Sequence, residues 1–264
     1  HLSCVLCITP NSFVYSSSSY LDTYNAFLNN GYVGNKKSIV CIGDSLSSGE
    51  FEYVKEDGSK VYADMFEHSW GQHIARTIGS KVYNFSRGGM TAEEYVKTFA
   101  EAKGFWDKEK AGDAYIIALG VNDLLFQKKP IGTVENIQKE YNNPEDTFVG
   151  YYSSIIQRIQ KEIQPNAKFF LMTMLKNGDE EYDKIIEAHT QTLYDVASAF
   201  NNCYVIDFSK YGPLDSGIFR EKFYLNGHLT PAGYILTAKM VMTYIDYIIR
   251  HNIKDFDMVG FIGN

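Results

Sequence analysis

The sequence SIVCIGDSL, residues 38–46, decides the fold: a short apolar run ends in Gly43, Asp44 and Ser45. Short runs of β-branched and apolar residues are typical of the buried strands of a parallel sheet. Four more runs of this kind follow, at residues 81–85, 114–119, 168–174 and 203–208. The sequence therefore predicts an α/β protein with five parallel strands.

The segments between these runs have the period of amphipathic helices. One apolar stripe extends from Phe148 to Ile163 and stops before Pro165, and a second covers residues 182–200. The last helix has Thr230 as its N-cap and Pro231 at its first position. Helices that alternate with strands cover both faces of a parallel sheet, and the ligand then lies at the carboxyl ends of the strands. We therefore expect site residues directly after strands.

One domain accounts for most of the chain. Residues 1–37 lack clear periodicity and are predicted to form an N-terminal arm or extension, and residues 38–264 fit one α/β domain. The chain begins with His1, so we expect upstream sequence to have been lost or cleaved. The compartment, cytoplasmic or secreted bacterial, and the oligomeric state stay open.

Composition excludes several functional classes. A formal net charge of −7 argues against a nucleic-acid partner, because binding phosphates needs a concentrated basic surface. No run of ~18 apolar residues is present, so no membrane span is expected. Cys4 and Cys7 form a single CxxC without a second pair, which gives little support to zinc, while Cys41 and Cys203 lie in predicted strands. We predict neither a metal nor a cofactor.

Four strand-end positions carry residues suited to acyl transfer, which needs a nucleophile, a base and donors for an oxyanion. Ser45 follows the first strand, and Asn84, Gly88 and Gly89 follow the second; Asn122 follows the third, and His228 precedes the final helix. Each also has a simpler interpretation, as a helix cap, a tight turn or a loop residue. Their occurrence together and in order favours a site.

Other polar residues near these positions receive structural roles. Asp44 and Asp123 are expected to order their loops, and His189 to be a half-buried packing residue on an apolar stripe. His68 and His73 are five residues apart, which is not the i,i+4 spacing that places two metal ligands on one helix face.

The four positions resemble the four sequence blocks of the SGNH (GDSL) hydrolase family over residues 38–250. The blocks are IVCIGDSL at 39–46, NFSRGG at 84–89, GVND at 120–123 and the segment around His228. The resemblance implies a three-layer α/β/α sandwich with a flavodoxin-like strand order. It also implies that Ser45 is the nucleophile and His228 the base, and that Gly89, Asn122 and the Ser45 N–H donate to the oxyanion.

The sequence departs from the family at one position. The family usually has an aspartate three residues before the histidine, where this chain has Leu225. We therefore hypothesise a Ser45–His228 dyad, in which the Leu225 carbonyl accepts a hydrogen bond from His228 Nδ1. The side chain of Asn226 is the fallback. A carboxylate on Nδ1, for example that of Asp207, would contradict this hypothesis.

The resulting prediction is a serine esterase that cleaves a small acyl ester, with a carbohydrate acetyl ester favoured. A lysophospholipase or thioesterase of the same fold is the first alternative, and a glycan-binding protein that has lost turnover is the second. The insertions at 50–67, with a hairpin turn at Lys55–Gly58, and at 124–144 are expected to overhang the crevice. Arg87 either contacts substrate from the same rim or is an exposed surface arginine.

Overall fold

A computed structural model describes residues 38–256 of the chain. The predicted arm at residues 1–37, with Cys4 and Cys7, lies outside the described residues, as do residues 257–264. The strands in chain order are β1 Ser38–Gly43, β2 Glu50–Val54, β3 Lys60–Asp64, β4 Lys81–Ser86, β5 Ala114–Ala118, β6 Lys168–Met172, β7 Cys203–Ile206, β8 Tyr224–Leu225 and β9 His228–Leu229.

The central sheet has the predicted architecture. Its strands lie in the order β4-β1-β5-β6-β7, and every adjacent pair is parallel. Counted along the chain as the five strands of this sheet, that order is 2-1-3-4-5, which is the flavodoxin-like arrangement. The order reverses between β1 and β5, so the crevice at the carboxyl ends of these two strands is the expected place for a ligand.

Side chains alternate between the two faces of the sheet, so each strand contributes to two cores. In β1, Val40 and Ile42 point into one core, and Ile39 and Cys41 into the other. All four side chains are buried, and burial raises the pKa of the Cys41 thiol. Burial on both faces explains why the strands are continuous apolar runs rather than alternating ones.

Helices cover both faces. They are α1 Ser45–Ser48, α2 Trp70–Ile78, α3 Ala92–Glu94, α4 Ala100–Ala102, α5 Phe148–Arg158, α6 Glu180–Ala199, α7 Phe208–Tyr211, α8 Gly217–Phe223 and α9 Pro231–His251. π-helical turns at Tyr95–Phe99 and Ile159–Ile163 join α3 to α4 and extend α5. Helices α2 and α9 pack on one face of the sheet, while α5 and α6 pack on the other.

Helix α9 begins as predicted. The Thr230 hydroxyl accepts a hydrogen bond from the Gly233 N–H at 3.2 Å, with Pro231 in the first turn of α9. Thr147 caps α5 in the same way through the Gly150 N–H. Among residues 38–256, no helix is both long enough and apolar enough to cross a bilayer.

Two antiparallel hairpins lie outside the central sheet. Strands β2 and β3 form the hairpin predicted around Lys55–Gly58, and its turn is closed by a bond from the Gly58 N–H to the Lys55 carbonyl. Strands β8 and β9 form a two-residue turn at Asn226 and Gly227, in which Leu225 is the cross-strand partner of His228. These hairpins meet at the carboxyl end of the sheet, with β9 against β2.

Candidate active site

A cavity of about 930 Å³ opens at the carboxyl ends of the central strands. Ser45, Gly89, Asn122 and His228, the four residues predicted from the sequence, all line it. They come from segments that follow β1, β4 and β5 and from β9, so the parallel sheet and the β8–β9 hairpin together bring close positions up to 183 residues apart. These four residues form a polar part of the cavity wall.

Ser45 begins the short helix α1, directly after β1. The Asp44 carboxylate caps this helix by accepting a bond from the Leu46 N–H at 3.0 Å, and Gly49 ends it with a left-handed φ of 80°. Asp44 is 4% exposed, and burial raises its pKa to about 6. Asp44 therefore has the loop-ordering role expected from the sequence, and it fixes the turn that presents Ser45.

Gly89 and Asn122 face the cavity from neighbouring loops. Gly89 has a φ of 72°, which a residue with a side chain adopts only with strain. One N–H of the Asn122 amide donates to the Met90 carbonyl at 3.1 Å. This bond fixes the amide plane to the loop that carries Gly89, and a second N–H of the same amide group is left to donate elsewhere.

Asp123 follows Asn122 and joins the same two loops from beneath. Its Oδ1 accepts a bond from the Ala92 N–H at 2.9 Å, while Oδ2 is buried with no hydrogen-bond partner among the described residues. Burial of a charge without full compensation is costly, and it raises the pKa of Asp123 to about 7. Asp123 orders its loop, as predicted.

This raised pKa predicts that stability falls as pH rises. The folded protein holds the Asp123 proton up to about pH 7, whereas the unfolded chain releases it near 3.8, so ionisation opposes folding within that window. Between pH 4 and 8, the free energy of unfolding of the wild type should fall by roughly 2–4 kcal/mol relative to Asp123→Asn. Urea unfolding across this pH range measures the difference, with the exposed Asp195→Asn as control. If the difference in the free energy of unfolding between the wild type and Asp123→Asn stayed constant across this pH range, the raised pKa of Asp123 would be contradicted.

His228 lies on β9, and its side chain is 15% exposed. The Asn226–Gly227 turn places it at the mouth of the cavity, with Asn226 at a φ of 55°. The Tyr62 ring on β3 contacts the imidazole edge to face, with centroids 5.4 Å apart. The hairpin inserted after the Ser45 turn therefore packs directly on the histidine.

The partner of His228 Nδ1 is Glu52, so the sequence-based hypothesis of a Leu225 carbonyl is wrong. Glu52 Oε2 lies 3.0 Å from Nδ1. Leu225 is the cross-strand partner of His228, so the two residues face each other through their backbones, while the imidazole extends towards β2. Asn226 is not the acceptor either, because its Nδ2 donates to Glu52 Oε1 at 3.0 Å. Asp207 lies elsewhere and caps α7.

Glu52 is a buried carboxylate with partners on both oxygens. Besides His228 and Asn226, Oε1 is 2.9 Å from Lys60 Nζ, and Oε2 accepts a bond from the Gly227 N–H at 3.4 Å. Burial alone would raise the pKa of Glu52, but the hydrogen bonds from His228, Lys60 and Gly227 outweigh it and lower the pKa to about 2. A charged Glu52 thus favours the tautomer with a proton on Nδ1, which leaves the lone pair of the neutral imidazole on Nε2.

A second carboxylate contacts that other nitrogen. Glu50 Oε1 lies 2.9 Å from His228 Nε2, and the Glu50 side chain is 16% exposed. Burial raises the pKa of Glu50, and the nearby carboxylates of Asp64 and Glu52 add to this effect, while His228 acts against it. The imidazole is therefore held between two glutamates of one strand.

Neither glutamate was predicted, because the family pattern places the acid three residues before the histidine and gives no reason to expect one from the hairpin after Ser45. The signal was present in the strand itself: Glu50, Phe51 and Glu52 begin the hairpin directly after the Ser45 turn. In a strand, residues two apart share one face, so this pattern places two carboxylates on the same side. The pattern does not show which side chain the two carboxylates contact.

The 124–144 insertion reaches the cavity only through Leu125 and Phe126, and its later part lines a separate cleft. Arg87 donates from Nη2 to both carboxylate oxygens of Glu94, each at 2.7 Å, and does not line the cavity. His189 is fully buried, not half-buried, and packs on Phe148.

Within the described part of the chain, no group of three or more His, Cys, Asp or Glu side chains could hold a metal ion.

Fold and site together define a flavodoxin-like α/β protein with a serine, a histidine and a carboxylate at the carboxyl end of its sheet. The model of the GDSL-like Lipase/Acylhydrolase family matches residues 41–236, and the chain belongs to this family. No curated protein matches the sequence.

Several solved structures are similar to this chain. A carbohydrate esterase family 2 enzyme of Corynascus thermopiles is 16% identical with a TM-score of 0.56, covering 83% of this chain and 68% of that one. Est24, a carbohydrate acetylesterase from Sinorhizobium meliloti, is 13% identical with a TM-score of 0.53, covering 81% and 100%. A lipolytic G-D-S-L protein of Desulfitobacterium hafniense is 17% identical with a TM-score of 0.50, covering 79% and 99%. At these identities, the likeness establishes the fold alone.

Proposed function

We propose that this protein is a serine esterase that cleaves a small acyl ester through Ser45, His228 and Glu52. The observation that carries the proposal is the contact of the buried, charged Glu52 with Nδ1 of His228, a residue that lines the same cavity as Ser45. This contact fixes the tautomer in which Nε2 accepts a proton and stabilises the imidazolium that forms. Glu52 takes the role that the sequence had assigned to a backbone carbonyl.

The chemical steps follow from these positions. Nε2 takes the Ser45 hydroxyl proton while Oγ forms a bond to the ester carbonyl carbon, and the carbonyl electrons move to the oxygen. The Ser45 and Gly89 N–H groups and the Asn122 amide donate to that oxyanion. The oxyanion then re-forms the carbonyl, the bond to the alcohol oxygen breaks, and the imidazolium gives its proton to the departing alcohol. A water molecule attacks the acyl-serine by the same route: His228 takes a proton from the water and returns it to Ser45 Oγ as the carboxylic acid leaves.

We infer that the substrate is an acetyl ester of a carbohydrate. The supporting observations are the mixed lining of the cavity and the activities of similar structures, two of which are described as carbohydrate esterases. Polar side chains of Asn177, Asp179, Asp215 and Arg220 line one part of it, and they suit sugar hydroxyls.

A lipolytic or thioesterase activity is the second candidate. It is favoured by the apolar part of the cavity, where Leu125, Met174 and Leu175 lie beside the 74% exposed Phe126. The alternative of a non-catalytic glycan-binding protein depended on a histidine that lacks a carboxylate partner. Glu52 now supplies one from another part of the chain.

Covalent labelling tests the proposal. We expect a fluorophosphonate to add once per chain, on Ser45 as located by peptide mass spectrometry, and p-nitrophenyl acetate to be hydrolysed faster than the butyrate.

A second experiment separates the two substrate classes. It compares acetate release from acetylated xylo-oligosaccharides with fatty-acid release from lysophosphatidylcholine. A folded protein that neither takes up the label nor hydrolyses either ester would contradict an esterase.

A further inference from the structure

The nitrogen of His228 that must receive the serine proton is already occupied. Glu50 and Glu52 project from the same face of β2 and flank the imidazole, with Oε1 of Glu50 2.9 Å from Nε2 and Oε2 of Glu52 3.0 Å from Nδ1. Both His228 and Glu50 are largely shielded from solvent, with side-chain exposures of 15% and 16%. Such an arrangement competes with a hydrogen bond from Ser45 to Nε2.

A proton count shows what this contact requires. Glu52 is charged, so Nδ1 carries a proton. The bond between Nε2 and Glu50 needs one further proton, which lies either on the imidazole or on the Glu50 carboxyl. In both cases the Glu50–His228 pair must lose one proton before Nε2 can accept the proton of Ser45.

We propose that Glu50 retains this extra proton on His228 and so sets the lower pH limit of the reaction. The inference rests on the proposed esterase function. When the pair loses its proton to solvent, a charged Glu50 and the lone pair of neutral Nε2 repel each other. The carboxylate then leaves, and Nε2 accepts the hydrogen bond of the Ser45 hydroxyl. Glu50 acts through His228 and is therefore a positioning residue.

The charges around the pair favour retention of the proton. Titratable groups face it from α1, from both strands of the hairpin and from α9: Asp44, Glu52, Lys60, Tyr62, Asp64 and Tyr234. Three of the six are carboxylates, and the cation of Lys60 is bound to Glu52. Carboxylates near an imidazole stabilise its protonated form, and a low local dielectric strengthens the effect.

The loop after β4 provides the space for Glu50. A Cβ atom at Gly88 would lie 2.3 Å from Glu50 Oε2, so the absence of a side chain at this position lets the carboxylate occupy its place beside His228. Gly88 is not among the residues with positive φ, so alanine fits its backbone. Gly88→Ala therefore displaces the Glu50 carboxylate while retaining its charge.

Glu50→Gln is the direct test. It removes one of the two carboxylates on the imidazole, so the acidic limb of kcat/KM against pH should move down by about 1–2 pH units, which is a gain of about 10–100-fold in kcat/KM at pH values below the limb. NMR titration of the His228 ring should show the same downward shift. Gly88→Ala should shift both measurements in the same direction by a smaller amount.

Glu56→Gln is the matched control, because Glu56 is exposed in the turn of the same hairpin. It should leave the pH profile and the His228 titration unchanged. Equal His228 titration midpoints in wild type and Glu50→Gln would overturn the proposal, as would a shift to higher pH. The NMR titration needs no turnover, so a shifted midpoint in a protein without esterase activity would support Glu50 and contradict the esterase.

Discussion

Ser45→Ala is expected to lower kcat/KM for p-nitrophenyl acetate by about 10⁵-fold or more, since removal of the nucleophile of a serine hydrolase removes the acyl-enzyme route. The residue follows β1 in a turn held by the Asp44 cap, and the substitution leaves that cap in place. The fold should therefore survive, and circular dichroism and thermal unfolding measure whether it does. Initial rates across substrate concentrations measure the loss.

The control for this prediction is Ser198→Ala. Ser198 is an exposed serine of α6 whose hydroxyl donates to the Tyr194 carbonyl at 2.9 Å, and it does not line the cavity. Its activity should equal that of the wild type. If Ser45→Ala retained more than a few per cent of the wild-type rate, the nucleophile would be a different residue.

Glu52→Gln is expected to lower kcat/KM by about 10³–10⁴-fold, as loss of the orienting carboxylate does in comparable sites. The amide has nearly the same shape but carries no charge, so it neither stabilises the imidazolium nor selects the tautomer with a proton on Nδ1. The loss should fall on kcat, because Glu52 is buried behind His228 and contacts it through Nδ1. Steady-state kinetics of the folded variant measures it.

Lys60→Met separates this charge effect from damage to the hairpin. Lys60 pairs with Glu52 at 2.9 Å but is half exposed, so its removal weakens the hairpin contact and keeps the carboxylate on His228. It should cost only a few-fold in kcat/KM. The double variant Ser45→Ala with Glu52→Gln should be no slower than Ser45→Ala alone, because the two residues act in one step. Equal losses for Lys60→Met and Glu52→Gln would show that Glu52 is only structural.

Much of this molecule was predictable from local sequence. Continuous apolar runs identified the five central strands to within two residues at either end, because strands buried on both faces must be apolar throughout. The end of the helical stripe before Pro165 and the Thr230–Pro231 start of the last helix followed from backbone chemistry. The rule that ligands lie at strand ends then selected Ser45, Asn122, His228 and the loop after the second strand. The family resemblance singled out Gly89 in that loop, and all four residues line one cavity.

The tertiary structure alone decided which acid meets the histidine. Glu52 precedes His228 by 176 residues, and the contact exists because two separate hairpins pack together at the end of the sheet. The sequence contains the two glutamates on one strand face, but a strand pattern carries no information about a partner so distant in the chain. Side-chain chemistry and periodicity are local properties, whereas the pairing of a carboxylate with an imidazole depends on how the whole fold closes.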